Sequence, residues 1–225
     1  MTLPSTTTPY PGAVIAPGAS IHETCRINRG ALISAEAILA PDVVIGKNVM
    51  IEGKVIIQRA VHIAENSALL GPVSIGEQAL IGPGVIIGLV NAETDSRDTH
   101  IMEGCRVGRA VQILAGLHLG RHARIRAGSL VTGDVPHYGL AGQNPAVLER
   151  YACPKCGGRL VEIRAVFGAI DTYCEDCGAG EYRFPRLFWT DAFNRVLLPG
   201  YAFGELDPNP YADPIWDDDR EIGSV

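Results

Sequence analysis

Four thiols in this chain have a spacing that could do chemistry. Cys153 and Cys156 form one C-x2-C pair, and Cys174 and Cys177 form a second, with 17 residues between the pairs. A glycine, Gly157 or Gly178, follows each pair. Four thiolates on two knuckles make a closed tetrahedral set, which suits a structural Zn²⁺. Two thioredoxin-type redox pairs at this spacing would be a coincidence. The expectation is therefore a small four-cysteine zinc ribbon over residues 149–184. A module of that size is too small to fold well without its metal. The remaining cysteines, Cys25 and Cys105, read as buried apolar thiols, for a reason that the rest of the chain supplies.

That reason is a repeat. From residue 15 to residue 87 an isoleucine or leucine recurs at every sixth position, thirteen times in succession. The series breaks over 89–100, LVNAETDSRDTH, and resumes at Ile101, Val107, Ile113, Leu119, Ile125 and Val131. A second series of small or β-branched residues runs two positions earlier, through Ala13, Ala19, Cys25, Ala31, Ala37, Val43 and onward. Two inward residues separated by one outward residue is the alternation of a strand. The intervening positions carry Pro, Gly, Asp and Asn, which are turn residues.

A helix is excluded, because six residues at about 100° each place successive aliphatics roughly 240° apart. A flat sheet is disfavoured by strands this short. A coil fits: three six-residue units close one triangular turn, each strand stacks on the one 18 residues later, and the aliphatics fill columns inside. The expected fold is all-β, with the core aliphatic, since 47% of residues are hydrophobic and only 6% aromatic. The expected organisation is a tail over 1–12, the coil over 13–148 with an insertion at 89–100, the ribbon over 149–184, and a tail over 185–225 that packs on the body and ends acidic.

Net charge is −6, which argues against non-specific nucleic-acid binding. No apolar run approaches the roughly 20 residues that cross a bilayer. The first residues, MTLPSTTTPYPG, lack the basic start and apolar stretch of a secretory signal. With two C-x2-C pairs instead of a disulfide framework, the chain reads as cytoplasmic.

The thirteen-fold hexad resembles the hexapeptide-repeat family, the left-handed parallel β-helix. The left hand is implied by that resemblance alone, because strand sterics favour right-handed crossovers. The exit, AGSLVTGDVPHYGLAGQNPAVLER over 127–150, is similar to the ending of the family's acetyltransferase branch, with Val131, Thr132, Asp134, Val135, Pro136 and Tyr138 in place. Gln143 makes its final turn one residue longer. The stretch IIGLVNAETDSRDTHIMEGCRVGRAVQILAG is similar to nucleotide-sugar amine N-acetyltransferases, through Asn91, Gly104-Cys105 and Gly108. Val90 stands where those relatives carry Thr.

The resemblance implies an acetyl-CoA-dependent N-acetyltransferase that acts on a nucleotide-linked amino sugar, as a homotrimer with its site between subunits. Asn91 falls where relatives contact the acceptor near its amine. Asp95 and Arg97 lie in the loop that would bind it. His100 ends the loop one residue before inward Ile101, so it points outward and is the candidate base. Arg121, Arg124 and Arg126 would hold the coenzyme's phosphates or pantetheine, the alternative being a solvated charged face. A three-histidine metal site is not expected, because His118 and His122 are four residues apart and the register of His22 and His62 is wrong. Two rivals stay open: an O-acyltransferase that needs His100 more strongly, and a non-catalytic scaffold whose ribbon binds a protein partner. The ribbon would otherwise cap an open sheet end or form a lid.

Overall fold

In a computed structural model, residues 10–90, 98–166, 169–179, 182–185, 188–189 and 196–197 are described. The chain winds as a parallel β-solenoid with three sheet faces and an all-β make-up among the described residues. The first face stacks Val14–Ile15, Leu32–Ile33, Met50–Glu52, Ala68–Leu70, Ile86–Leu89, Gln112–Leu114 and Leu130–Val131. The second face runs from Ser20–Ile21 through Ile38–Leu39, Val55–Ile57, Val73–Ile75 and Thr99–Ile101 to His118–Leu119. The third begins at Arg26–Ile27 and passes through His62–Ile63, Leu80–Ile81, Arg106–Val107 and Arg124–Ile125.

The predicted offset of 18 is observed, with Val14 opposite Leu32, Ser20 opposite Ile38 and Arg26 opposite Val44. Each coil hands its backbone groups to the next, as in Val14 N–H to Ala31 O at 2.8 Å and Ala16 N–H to Ile33 O at 2.9 Å. The sixfold aliphatics form the core: Ile45, Ile57, Ile63, Ile75, Ile87, Ile113 and Leu119 are all fully buried. The second, small series is buried beside them, including Ala31, Val49, Val61 and Val85. Burying each large aliphatic contributes roughly 1.5–3 kcal/mol, and a solenoid gathers that only from neighbouring coils.

Polar members of the small series are satisfied internally. Ser67 Oγ donates to Gly82 O at 3.0 Å, and Thr99 Oγ1 accepts from Gly116 N–H at 3.0 Å. Cys25 and Cys105 are buried as expected, and their thiols donate to Ala40 O and Gly120 O. Burial pushes the Cys105 thiol up to about 12, so it stays protonated and inert.

Many corners place one residue in the left-handed region, among them Gly30, Asp42, Asn48, Ala60, Asn66, Gln78 and Ala110. The insertion enters where that regularity fails. Gly88 has a φ of +81°, and the ladder shifts register between Ile87 and Leu89. A side chain there would run into the carbonyl of Leu70. The bulge is thus built on a glycine, and bulges of this kind re-aim a chain beside functional sites. Across the insertion the offset between stacked residues is 26, with Leu80 opposite Arg106 and Ser74 opposite His100, and it returns to 18 in the next coil, where Arg106 faces Arg124.

The third face continues past Arg124–Ile125 into Gly139–Gly142, which pairs antiparallel with Val147–Tyr151. Three antiparallel strands follow, Leu160–Val166, Ala169–Cys174 and Tyr182–Pro185. Of the C-terminal tail, the short pair Phe188–Trp189 and Val196–Leu197 is described, and the acidic end lies outside the described residues. No helix among the described residues is long and apolar enough to cross a membrane.

Candidate functional site

His100 stands on the second face, one strand from its end, on the first strand after the insertion. Thr99 and Ile101 on either side of it are buried, which leaves His100 to project outward, half-buried. Ser74 lies opposite it on the preceding coil, and His118 opposite it on the following one. His100 Nδ1 is 2.8 Å from Ser74 Oγ. The His100 and His118 ring centroids are 4.8 Å apart, with the rings tilted by 39°. The backbone N–H of His118 donates to Asp134 Oδ1 at 2.7 Å. Asp134 comes from the exit stretch, so the last turn of the solenoid braces the same column.

The imidazole of His100 is held below its ordinary value. Burial is the largest cause, the neighbouring His118 adds to it, and Asp98 opposes it. The ring is therefore neutral near pH 7 and has a lone pair to offer, which a general base needs. Asn91, Asp95 and Arg97, the other loop residues singled out in the sequence, lie outside the described residues.

Each of the three arginines expected at the coenzyme has a protein partner of its own. Arg121 Nε lies 3.7 Å from Glu103 Oε1. Arg126 Nε donates to Glu149 Oε2 at 2.7 Å. Arg124 Nη1 donates to Gly157 O at 3.3 Å, beside the first cysteine knuckle. Arg106, which the sequence reading passed over, stacks in register with Arg124. Together with His62 and Leu80 they line an open groove of about 330 Å³ on the third face. The signal was available: Arg106 and Arg124 are 18 residues apart, one full coil.

The other histidines occupy separate places. His22 Nδ1 bonds its neighbour Thr24 Oγ1 at 3.0 Å. His122 takes a corner with φ +54° and stacks on Tyr138 at 5.3 Å.

The four C-terminal cysteines do converge, with all Sγ atoms within 4.8 Å of one another. Cys153 Sγ and Cys177 Sγ are 3.9 Å apart, and Cys156 Sγ and Cys174 Sγ are 3.5 Å apart. A tetrahedron with Zn–S bonds of about 2.3 Å needs sulfur–sulfur edges of roughly 3.8 Å. The knuckles are equivalent: Gly157 N–H donates to Cys153 O at 2.7 Å, and Gly178 N–H donates to Cys174 O at 3.0 Å. Both glycines have positive φ, at 72° and 62°. The donor set fits a tetrahedral, thiophilic metal ion. Tyr151 stacks on Phe184 at 4.3 Å and closes the module against the last solenoid strand.

The molecule is thus a parallel β-solenoid of hexapeptide repeats that carries a histidine column on one face and a four-thiol cluster at its end. No family model matches the chain. Over 84 residues it is 43% identical to serine acetyltransferase 2 of Arabidopsis thaliana, a match that spans 35% of this chain and 26% of that protein. Over 62 residues it is 40% identical to dTDP-3-amino-3,6-dideoxy-alpha-D-galactopyranose 3-N-acetyltransferase of Aneurinibacillus thermoaerophilus, spanning 28% of this chain and 32% of that one. The matches therefore span about a quarter to a third of these relatives. Among solved structures, a hexapeptide-repeat acetyltransferase of Vibrio cholerae complexed with acetyl coenzyme A is 24% identical with a TM-score of 0.46, covering 54% of this chain and 70% of that one.

Proposed function

We propose that this chain is an acetyl-CoA-dependent acyltransferase, and that its acceptor is the amino group of a nucleotide-linked amino sugar. The observation that carries the reading is His100: a neutral, outward imidazole at the end of a loop that interrupts an otherwise regular solenoid. Similarity to the amino-sugar N-acetyltransferase supports it. The acceptor nitrogen attacks the thioester carbonyl, a C–N bond forms and the C–S bond breaks. The proton lost by nitrogen passes to His100 Nε2 and from there to the departing thiolate. Asn91, Asp95 and Arg97 are assigned to the acceptor. Arg106 and Arg124 are assigned to phosphate groups of either substrate, since a guanidinium suits bidentate phosphate contact. Arg121 and Arg126 then keep their carboxylate partners.

The working form is a homotrimer, supported by the outward column of the first face, which is apolar from Val14 through Leu32, Met50 and Ala68 to Ile86 and is interrupted only by Gln112 before Leu130. The four thiolates hold a structural zinc ion that keeps the ribbon folded against the solenoid's end.

A second reading has its own support. Similarity to serine acetyltransferases favours an alcohol acceptor, whose oxygen needs a base more strongly than an amine does. Calorimetric titration of acetyl-CoA into the zinc-replete protein tests the class, and saturable binding of about one per chain is expected. Assays with dTDP-linked amino sugars and with serine then separate the two acceptors. Turnover of serine alone would replace the first reading by the second, and absence of coenzyme binding would remove both.

A further inference from the structure

An imidazole that is to take a proton must present a bare nitrogen, and which nitrogen is bare depends on what the other one bonds. The proximal nitrogen of His100, Nδ1, is committed to Ser74 Oγ at 2.8 Å. Covalent geometry leaves Nε2 on the distal side of the ring. Two features make the contact with Ser74 a fixed one. Val73 and Ile75 are buried on either side of Ser74, as Thr99 and Ile101 are around His100, so both side chains are locked in outward slots. On the other side, the His118 ring closes off the column. The groups that face His100 are thus Ser74 from the preceding coil, His118 from the following coil with Asp134 on its N–H, and Asp98 at the start of its own strand.

We infer that Ser74 is a positioning residue for His100: its oxygen accepts from Nδ1–H, so Nε2 is left bare toward the acceptor. The inference rests on the base role given to His100 above. A serine hydroxyl donates as well as accepts, and Ser74 is half-buried, which leaves its own hydrogen within reach of solvent. Of the two neutral tautomers, this one keeps the bond to Ser74 while the distal nitrogen can still receive a proton. The opposite tautomer would place Nε2–H against the acceptor and stop the transfer. Pairing Ser74 with His100 depends on the insertion, which makes the offset 26 residues at this place.

The test reads the tautomer directly. Long-range ¹H–¹⁵N spectra of the zinc-loaded full chain, with His100 assigned by its loss in His100→Asn, are expected to show Nδ1–H when the ring is neutral. In Ser74→Ala the Nε2–H form should grow, and kcat should fall about tenfold to hundredfold, within the range that a general base contributes, with KM for acetyl-CoA nearly unchanged. Ser74→Thr keeps the hydroxyl and should restore both. An Nε2–H tautomer in the wild type would overturn the inference. So would a Ser74→Ala protein that changes tautomer and keeps kcat, or one that loses kcat without a tautomer change. If the wild type transfers no acetyl group, the functional reading fails, and the tautomer spectra still decide whether Ser74 orders the ring.

Discussion

His100 is under three influences, and their signs make a prediction. Burial and the His118 ring both disfavour its protonated form, while Asp98 favours it. As pH falls through the depressed value the ring takes a proton and ceases to be a base, so activity should have an acidic limb there. His118→Ala removes one of the two lowering influences, and the limb should move to higher pH. Burial is the larger cause, so the move should be partial. Asp98→Asn should move the limb the other way. A pH–rate profile of kcat/KM checks both, and an unmoved limb in His118→Ala would show that another group titrates. Stability follows the same linkage: the unfolded chain binds the proton more readily, so this group costs stability at acid pH, and the cost disappears as pH rises past about 6.5, the ordinary histidine value. That His100 points outward was legible, because its place is fixed by the inward Ile101 next to it. Its bond to Ser74 was not, because the loop changes the offset and hides which residues stack. The partners of Arg124 and Arg126 were hidden for a related reason: Gly157 and Glu149 lie 33 and 23 residues further along the chain.

At the scale of elements, the hexad encodes the strands, the corners and the 18-residue stacking, and nearly all of that could be read directly. The period carries no handedness, and it does not say which corners are strained. Ala60 and Ala110 adopt φ of 56° and 53° at corners where an L side chain is crowded. Ala60→Gly relieves that crowding, and after the added entropy of the unfolded glycine it should stabilise by about 0.5–1 kcal/mol. Gly88→Ala should do the reverse, because φ is +81° and the Leu70 carbonyl occupies the space. Thermal unfolding followed by circular dichroism distinguishes the two, and a lower midpoint in Ala60→Gly would refute the corner argument. The thiol cluster makes a separate prediction. Metal analysis should find one zinc ion per chain. Chelation should open residues 152–185 to proteolysis and leave the solenoid's far-ultraviolet spectrum largely intact, since its ladders run coil to coil. Loss of the whole spectrum on chelation would mean that the module is integral to the solenoid.

On the scale of the whole molecule, the first face presents a problem that one chain does not solve. Its outward column reads Val14, Leu32, Met50, Ala68, Ile86, Gln112 and Leu130, in register on stacked strands. Val14 is 64% exposed, Leu32 47% and Met50 37%. Scattered apolar residues are normal on a surface, but a contiguous apolar stripe marks a contact. The outward column of the third face alternates, with Arg26, Val44, His62, Leu80, Arg106 and Arg124, and that of the second face holds only Ile38 and Ile56 between Ser20 and Ser74, so the longest unbroken apolar run belongs to the first face. A second copy is the simplest cover, because closed rings of identical chains bury such a stripe without leaving an open end. Leu32→Glu combined with Met50→Glu changes two outward side chains and leaves the buried columns untouched. The double variant should therefore fold with the wild-type spectrum and sediment as a single 24.0 kDa chain, where the wild type sediments as three. Its acetyl transfer should fall with the assembly, as a site shared between neighbouring copies requires. Sedimentation velocity at several concentrations checks the first part. A wild type that sediments as one chain throughout would assign the stripe to some other cover and confine the catalytic groups to a single solenoid.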